Sequence, residues 1–269
     1  MKAKNFTQIK LKEGEVYLYD FGDIKLHAYK SNDPLHNLSF LLEKEGFGVV
    51  LEPQSFRKNI ADCEKYVKDS GICVVGLVLA YHHSSGGNFL KDIKKYSSKE
   101  RKIYGPTQNV KKIVRGLSRL FSADFDKTES LINYYIDHDQ KLTIGGIRLN
   151  AFKTTEGLDL EIPEINGRYI HMFSAQSHSL LYSIKEVEEK LKILRSCITK
   201  RYAIILSSHD LPNGTTDIKK KISYLETLRK VALRSSSAKE FKTEMIKLYP
   251  DFECRKFLDV TAKFLFSKK

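Results

Sequence analysis

The chain has 269 residues, of which 41% are hydrophobic, and it carries a formal net charge of +13. This length and composition allow one large α/β domain with a sizeable core, and the low counts of 15 Gly and 6 Pro argue against collagen-like and disordered classes. No segment approaches the ~18 apolar residues that a membrane span needs. The N-terminus lacks an apolar signal core and the four cysteines never form a Cys-x-x-Cys pair, so we expect a cytoplasmic protein with reduced thiols.

The first eighty residues predict hairpins followed by a helix and a buried strand. Residues 16–21 and 24–29 are rich in β-branched and aromatic types and flank a Gly-Asp turn, and residues 38–43 and 48–51 form a second pair. Ile60, Cys63 and Val67 then recur at helical spacing. Residues 73–80 are continuously apolar, which is typical of a strand that is buried on both faces.

The middle of the chain is less regular. Pro106-Thr107 can open a helix, residues 118–141 are ambiguous, and residues 142–144 and 147–152 predict another hairpin. The acidic segment 156–164 is interpreted as a solvated loop, and residues 169–173 as a short strand.

The C-terminal third alternates helices with one strand. Ser183 and Ser237, each followed three residues later by Glu, predict two capped helices, and residues 202–206 predict a strand. Strands in two sets, each followed by helices, indicate a layered α/β fold with mixed sheets. We expect a single domain over residues 1–269, with C-terminal helices from about residue 217 to 267.

Histidines follow two of the predicted strands. The run at residues 73–80 is followed by Tyr81, His82 and His83 and then by a Gly-Gly-Asn turn, and the run at residues 202–206 is followed by Ser-Ser and then His209-Asp210. Imidazole is the commonest side-chain metal ligand, and a strand end holds a ligand rigidly. Two such ends suggest one shared site.

The order of these segments resembles that of the metallo-β-lactamase superfamily. Residues 37–42 (NLSFLL) resemble its early Asn-x-x-hydrophobic strand, and residues 49–53 (VVLEP) fall at its run ending in Ile-Asp-Thr-Gly. Residues 73–88 resemble the strand that leads into its His-x-His-x-Asp-His-x-Gly-Gly loop, and residues 206–212 resemble its last strand, which supplies a histidine ligand. The resemblance implies an αββα sandwich of two mixed β-sheets flanked by helices, with the active site along one edge of the sheets.

The ligand loop departs from the family pattern. The segment from His82 to Gly86 is about three residues too short, so that the family's Asp-His pair is absent. In one register His82 takes the first ligand position and Ser84 replaces the second ligand. In the other register His83 takes the second position and Tyr81 replaces the first ligand.

The remaining ligand positions are also altered. The segment around Glu156 lacks the next histidine of the family, and Gln176 stands where the metal-bridging aspartate would be, whereas His209 matches its position. A catalytic zinc needs three protein ligands and an open position for water. The resemblance therefore implies at most one metal ion, zinc or another divalent transition metal, or no metal at all.

The candidate ligands are His82 or His83, together with His178 and His209, and His171 is a further candidate. Asp210 or Glu156 would serve as ligand or base, and Tyr81 would donate a hydrogen bond to a substrate oxygen. We expect four of these side chains to line one pocket, with or without a metal: Tyr81, His82, His178 and His209.

Two functions follow from these residues. The first is a metal-dependent hydrolase acting on a small anionic molecule, because residues 91–119 carry ten basic against two acidic side chains. The second is a non-catalytic protein that binds a ligand or partner in the former active-site cleft. Nucleic acid is not the expected partner, because no nucleic-acid-binding motif is present, and no membrane partner is expected.

Overall fold

The fold is described from a computed structural model, which covers residues 6–81, 85–98, 110–121, 124–137, 139–154 and 158–267. Residues Ala3–Phe173 and Ile204–Pro212 form one compact unit, here the sheet unit. Residues Ser174–Ala203 and Asn213–Lys269 form a second compact unit, here the helical unit. The prediction of a single domain over residues 1–269 stays a prediction.

An eight-stranded sheet runs in sequence order through the first half of the sheet unit. Neighbouring strands are antiparallel from β1 to β5 and parallel from β5 to β8. The strands are β1 (Phe6–Lys10), β2 (Gly14–Asp20), β3 (Lys25–Ser31), β4 (Leu38–Lys44), β5 (Phe47–Leu51), β6 (Cys73–Leu79), β7 (Lys95–Ser98) and β8 (Tyr134–Ile136). Two helices interrupt them, α1 (Arg57–Asp69) and α2 (Val110–Phe121).

A six-stranded sheet has the order β14-β13-β12-β11-β10-β9. Its strands are β9 (Lys141–Ile144), β10 (Ile147–Lys153), β11 (Leu158–Ile162), β12 (Gly167–Tyr169), β13 (Ile204–Ser207) and β14 (Asp210–Asn213). β12 and β13 pair in parallel, so their carboxyl ends lie at the same edge of the sheet. Both sheets are mixed, as the sequence predicts.

Strand β6 shows why the sheets stack. Val78 lies in the apolar core that also contains Leu160 and Leu206 of the second sheet, whereas Leu77 and Leu79 lie with Ile60 of α1 on the opposite face. Successive side chains of a strand point to opposite faces, so a strand that is covered on both sides must be apolar throughout. Each fully buried aliphatic side chain contributes about 1.5–3 kcal/mol.

The helical unit contains α3 (Ile184–Thr199), α4 (Thr215–Arg234), α5 (Ala238–Leu248) and α6 (Arg255–Phe266). The side chain of Ser183 accepts a hydrogen bond from the backbone N–H of Glu186, and Ser237 does the same for Glu240, so both predicted N-caps are confirmed. Within the ranges described, the helices all lack the length and apolar composition of a membrane-spanning segment.

From residue 158 onward, the acidic segment 156–164 is not the solvated loop that its composition suggests. Residues Leu158–Ile162 form strand β11, in which Asp159 is buried and contacts the Arg168 guanidinium at 2.8 Å. Glu161 accepts a hydrogen bond from the side-chain amide of Asn150 on the neighbouring strand. The charges are therefore paired across strands, which the local composition does not reveal. The predicted strand at residues 169–173 instead ends at Tyr169.

Candidate active site

Polar side chains from four strand ends meet on the sheet unit. Glu52 directly follows β5, Tyr81 follows β6, and His171 follows β12. Ser208 and His209 form the turn between β13 and β14. These residues, together with Tyr169 at the end of β12, are here called the site cluster.

His171 is the centre of the site cluster. Its ring is stacked on that of Tyr81, with 3.7 Å between ring centroids and 9° between planes. Its Nδ1 lies 2.7 Å from Ser208 Oγ and 3.3 Å from Tyr169 Oη. Only 2% of the residue is exposed, so these contacts hold the imidazole in one orientation.

Glu52 is fully buried and is connected to His171 through Tyr169. Its Oε1 accepts hydrogen bonds from the backbone N–H of Tyr81 and from the Tyr169 hydroxyl, both at 3.0 Å. Its φ of +63° is in the left-handed region, which a non-glycine residue keeps only where its surroundings enforce it. Burial and then the Glu52 charge raise the pKa of Tyr169 well above its ordinary value, so Tyr169 keeps its proton.

His209 is the more accessible imidazole of the site cluster. It is half-buried, and its ring centroid lies 5.6 Å from that of His171, with the planes at 63°. Asp210, the first residue of β14, is also half-buried. Tyr81 and His209 therefore both contact His171, although they are far apart in the sequence.

His178 lies in the helical unit. Its Nδ1 is 3.1 Å from the Tyr224 hydroxyl, its ring packs against Tyr224 and Phe252, and it is 1% exposed. Burial, and then the charges of Lys221 and Arg255, lower its pKa to about 4. The predicted proximity of His178 to His209 would join the two units and stays a prediction.

His82, His83, Ser84 and Glu156 lie outside the described residues, but the segment after the predicted ligand loop is well anchored. The backbone N–H of Asn88 donates to Asp126 Oδ2 at 3.0 Å, and its side-chain amide donates to Oδ1 at 3.1 Å. Lys95, one of the ten basic residues counted in segment 91–119, is buried and donates to the Gly87 carbonyl at 2.8 Å. Lys95 therefore supports this turn and adds no charge to the surface.

The donor set of the site cluster is incomplete for a catalytic zinc. It supplies two imidazoles, His171 and His209, where three protein ligands are needed. Across the ranges that the structure describes, no group of three His, Cys, Asp or Glu side chains could hold a metal ion. A complete site would need the predicted ligand His82 or His83.

Comparison of this chain with solved structures identifies its fold. The metallo-β-lactamase family protein TTHA1429 from Thermus thermophilus is 13% identical with a TM-score of 0.63, and the match covers 91% of this chain and 92% of that one. The chain has the metallo-β-lactamase fold. The predicted αββα class, with two mixed sheets and helices, is thereby confirmed.

Two other solved structures with this fold are similar to the chain at comparably low sequence identity. The sec-alkylsulfatase Pisa1 from Pseudomonas sp. is 12% identical with a TM-score of 0.66, over 95% of this chain and about half (50%) of that one. The DIM-1 metallo-β-lactamase is 16% identical with a TM-score of 0.54, over 82% of this chain and 99% of that one. No protein-family model and no curated protein sequence matches this chain. At these identities the likeness shows the fold alone.

From the sequence, His171 was only a further candidate ligand, and Tyr169, Ser208 and Glu52 were not predicted as site residues. The predicted strand at residues 169–173 placed His171 within a strand, whereas it lies two residues beyond the end of β12. A usable signal was present, because Glu52 directly follows an apolar run and Ser208 is the second residue after one. In this chain Glu52 follows β5 and Ser208 follows β13.

Proposed function

We propose that this protein is hydrolase-like, acts on a small anionic molecule at the site cluster, and holds at most one divalent metal ion there. The observation that carries the proposal is the meeting of His171 and His209 at the carboxyl ends of the parallel strands β12 and β13. Strand ends of this kind position side chains rigidly enough for catalysis.

The residues that would hold the metal are His209, His171 and the predicted ligand His82 or His83. A bound divalent ion would act as a Lewis acid and supply a hydroxide at neutral pH. Tyr81 and Ser208 orient His171, and Asp210 beside His209 is the candidate ligand or base. The sequence-based expectation that His178 is a further ligand stays a prediction.

The test is hydrolysis of anionic substrates by the purified full chain, with a sec-alkyl sulfate and a β-lactam as first probes because similar folds act on them. Zinc and manganese are added in separate reactions. We expect activity that requires a metal and falls at least about 100-fold in His209→Ala. Ser207→Ala is the control, because the buried Ser207 lies two residues before His209 and its hydroxyl contacts the His171 backbone carbonyl, not the imidazole.

A second candidate function, ligand binding without catalysis, is favoured by the hydrogen bonds that join His171 to its buried neighbours. Buried polar groups are costly unless they are satisfied, and here Glu52, Tyr169, Ser208 and His171 satisfy one another. This function predicts that a chelator leaves the melting temperature unchanged in the wild type and in His209→Ala. A large chelator-induced fall in the wild type alone would reject it.

A further inference from the structure

A continuous chain of hydrogen bonds connects Glu52 to His171 through two hydroxyl groups. Glu52 Oε1 lies 3.0 Å from Tyr169 Oη, which lies 2.5 Å from Ser208 Oγ, which lies 2.7 Å from His171 Nδ1. Glu52, Tyr169 and Ser208 are 0% exposed and His171 is 2% exposed. This chain is here called the relay.

The direction of the relay follows from the number of protons that each group carries. Glu52 Oε1 accepts from the backbone N–H of Tyr81, which can only donate, and it takes the single hydroxyl proton of Tyr169. Tyr169 Oη must then accept the proton of Ser208. Ser208 has no second proton, so its Oγ can only accept from His171 Nδ1–H.

Rotation of the His171 ring out of the relay is restricted. Tyr81 covers one face of the ring, with 3.7 Å between ring centroids. A ring flip would place a C–H against Ser208 and break the last bond of the relay. Histidines that bind metals or act in catalysis are commonly oriented in this way, through a hydrogen bond from the other ring nitrogen.

We propose that His171 is a functional residue of the site cluster, held by the relay in the Nδ1–H tautomer so that Nε2 offers a lone pair. The chemistry that Nε2 recognises is an electron-pair acceptor, either a metal ion or the O–H or N–H group of a bound small molecule. Glu52, Tyr169 and Ser208 are positioning residues. The tautomer does not depend on the proposed function, whereas the bound molecule rests on it.

The tautomer is measured by two-bond ¹H–¹⁵N correlation NMR on the full chain, labelled with ¹⁵N-histidine and kept metal-free at about pH 8, where a histidine is neutral. The signals of His171 are assigned with the His171→Gln variant. We expect an excess of at least about ten-fold of the Nδ1–H form. A predominant Nε2–H form in the wild type would overturn the proposal without any variant.

Two variants test whether the relay causes the tautomer. Tyr169→Phe removes the acceptor of the Ser208 proton while keeping the ring, so the excess of the Nδ1–H form should fall several-fold. Ser207→Ala removes an equally buried hydroxyl that contacts only the His171 backbone, so the tautomer should not change. Equal effects of the two variants would show that general packing, and not the relay, sets the tautomer.

Two probes, zinc alone and inorganic phosphate alone, identify what Nε2 meets. A shift of the His171 Nε2 signal with zinc indicates a metal site, and a shift with phosphate, which carries an O–H donor, indicates a small-molecule site. Either result supports the proposal, and a silent Nε2 with both probes overturns it. A response to phosphate without zinc binding would reject the metal-dependent function while this proposal stands.

Discussion

Replacing Gly86 by alanine should destabilise the turn that follows the predicted ligand loop more strongly than an ordinary glycine substitution would. Gly86 has a φ of +68°, and a Cβ built on it would lie 2.1 Å from the Gln54 carbonyl oxygen. An L-residue in the left-handed region costs about 1–2 kcal/mol. The clash is with backbone, which cannot rotate away, and overpacking of this kind adds about 1–3 kcal/mol. We therefore expect Gly86→Ala to lower the free energy of unfolding by about 3 kcal/mol.

The matched control is Gly22→Ala. Gly22 has a φ of +83°, and a Cβ there would meet no atom within 4 Å, so this variant isolates the conformational cost. Urea unfolding of both variants, followed by circular dichroism, gives the difference at unchanged m-value. Equal losses in the two variants would refute the reasoning, because the contact with Gln54 would then contribute nothing.

Two further predictions concern buried ionisable side chains. Because folding lowers the pKa of His178 from 6.5 to about 4, this imidazole is protonated at a higher pH in the unfolded chain than in the folded protein. As pH falls from about 6.5 to about 4, the free energy of unfolding of the wild type should therefore fall by about 3 kcal/mol more than that of His178→Phe. Parallel pH profiles of urea unfolding for the two proteins would contradict this. Asp159→Asn, which removes the carboxylate 2.8 Å from the buried Arg168 guanidinium, should lower the free energy of unfolding by about 3 kcal/mol. The control is the exposed ion pair of Arg148 with Glu164, since Arg148→Met should lower the free energy of unfolding by under about 1 kcal/mol. Equal urea midpoints for Asp159→Asn and Arg148→Met would contradict this prediction.

Much of the fold could be predicted because apolar residues follow the period of the helix or strand that buries them. The apolar run at residues 73–80 predicts a strand and forms β6, and the spacing of Ile60, Cys63 and Val67 predicts a helix and lies in α1. Strands β1, β7 and β8 were not predicted, because β1 and β7 contain mostly polar residues and β8 has three residues. β11 was hidden because its acidic residues are paired with partners on neighbouring strands.

The candidate site was only partly predictable. Tyr81 and His209 stood out as polar residues beyond apolar runs, and both contact one imidazole in the structure. That imidazole, His171, could not be given its place from the sequence, because its role depends on the end of β12 and on hydroxyl groups far along the chain, such as that of Ser208 at a separation of 37 positions. A hydrogen-bond relay between distant strand ends leaves no local pattern.

The central claim is that the site cluster holds at most one metal ion, and calorimetric titration of zinc into the metal-free full chain tests it most directly. We predict one zinc ion per chain, with affinity at least about ten-fold weaker in His209→Ala and in His171→Ala but unchanged in Ser207→Ala. No zinc binding would reject the metal-dependent function in favour of ligand binding without catalysis. Two zinc ions per chain, or a single ion bound equally well by His209→Ala, would contradict the account.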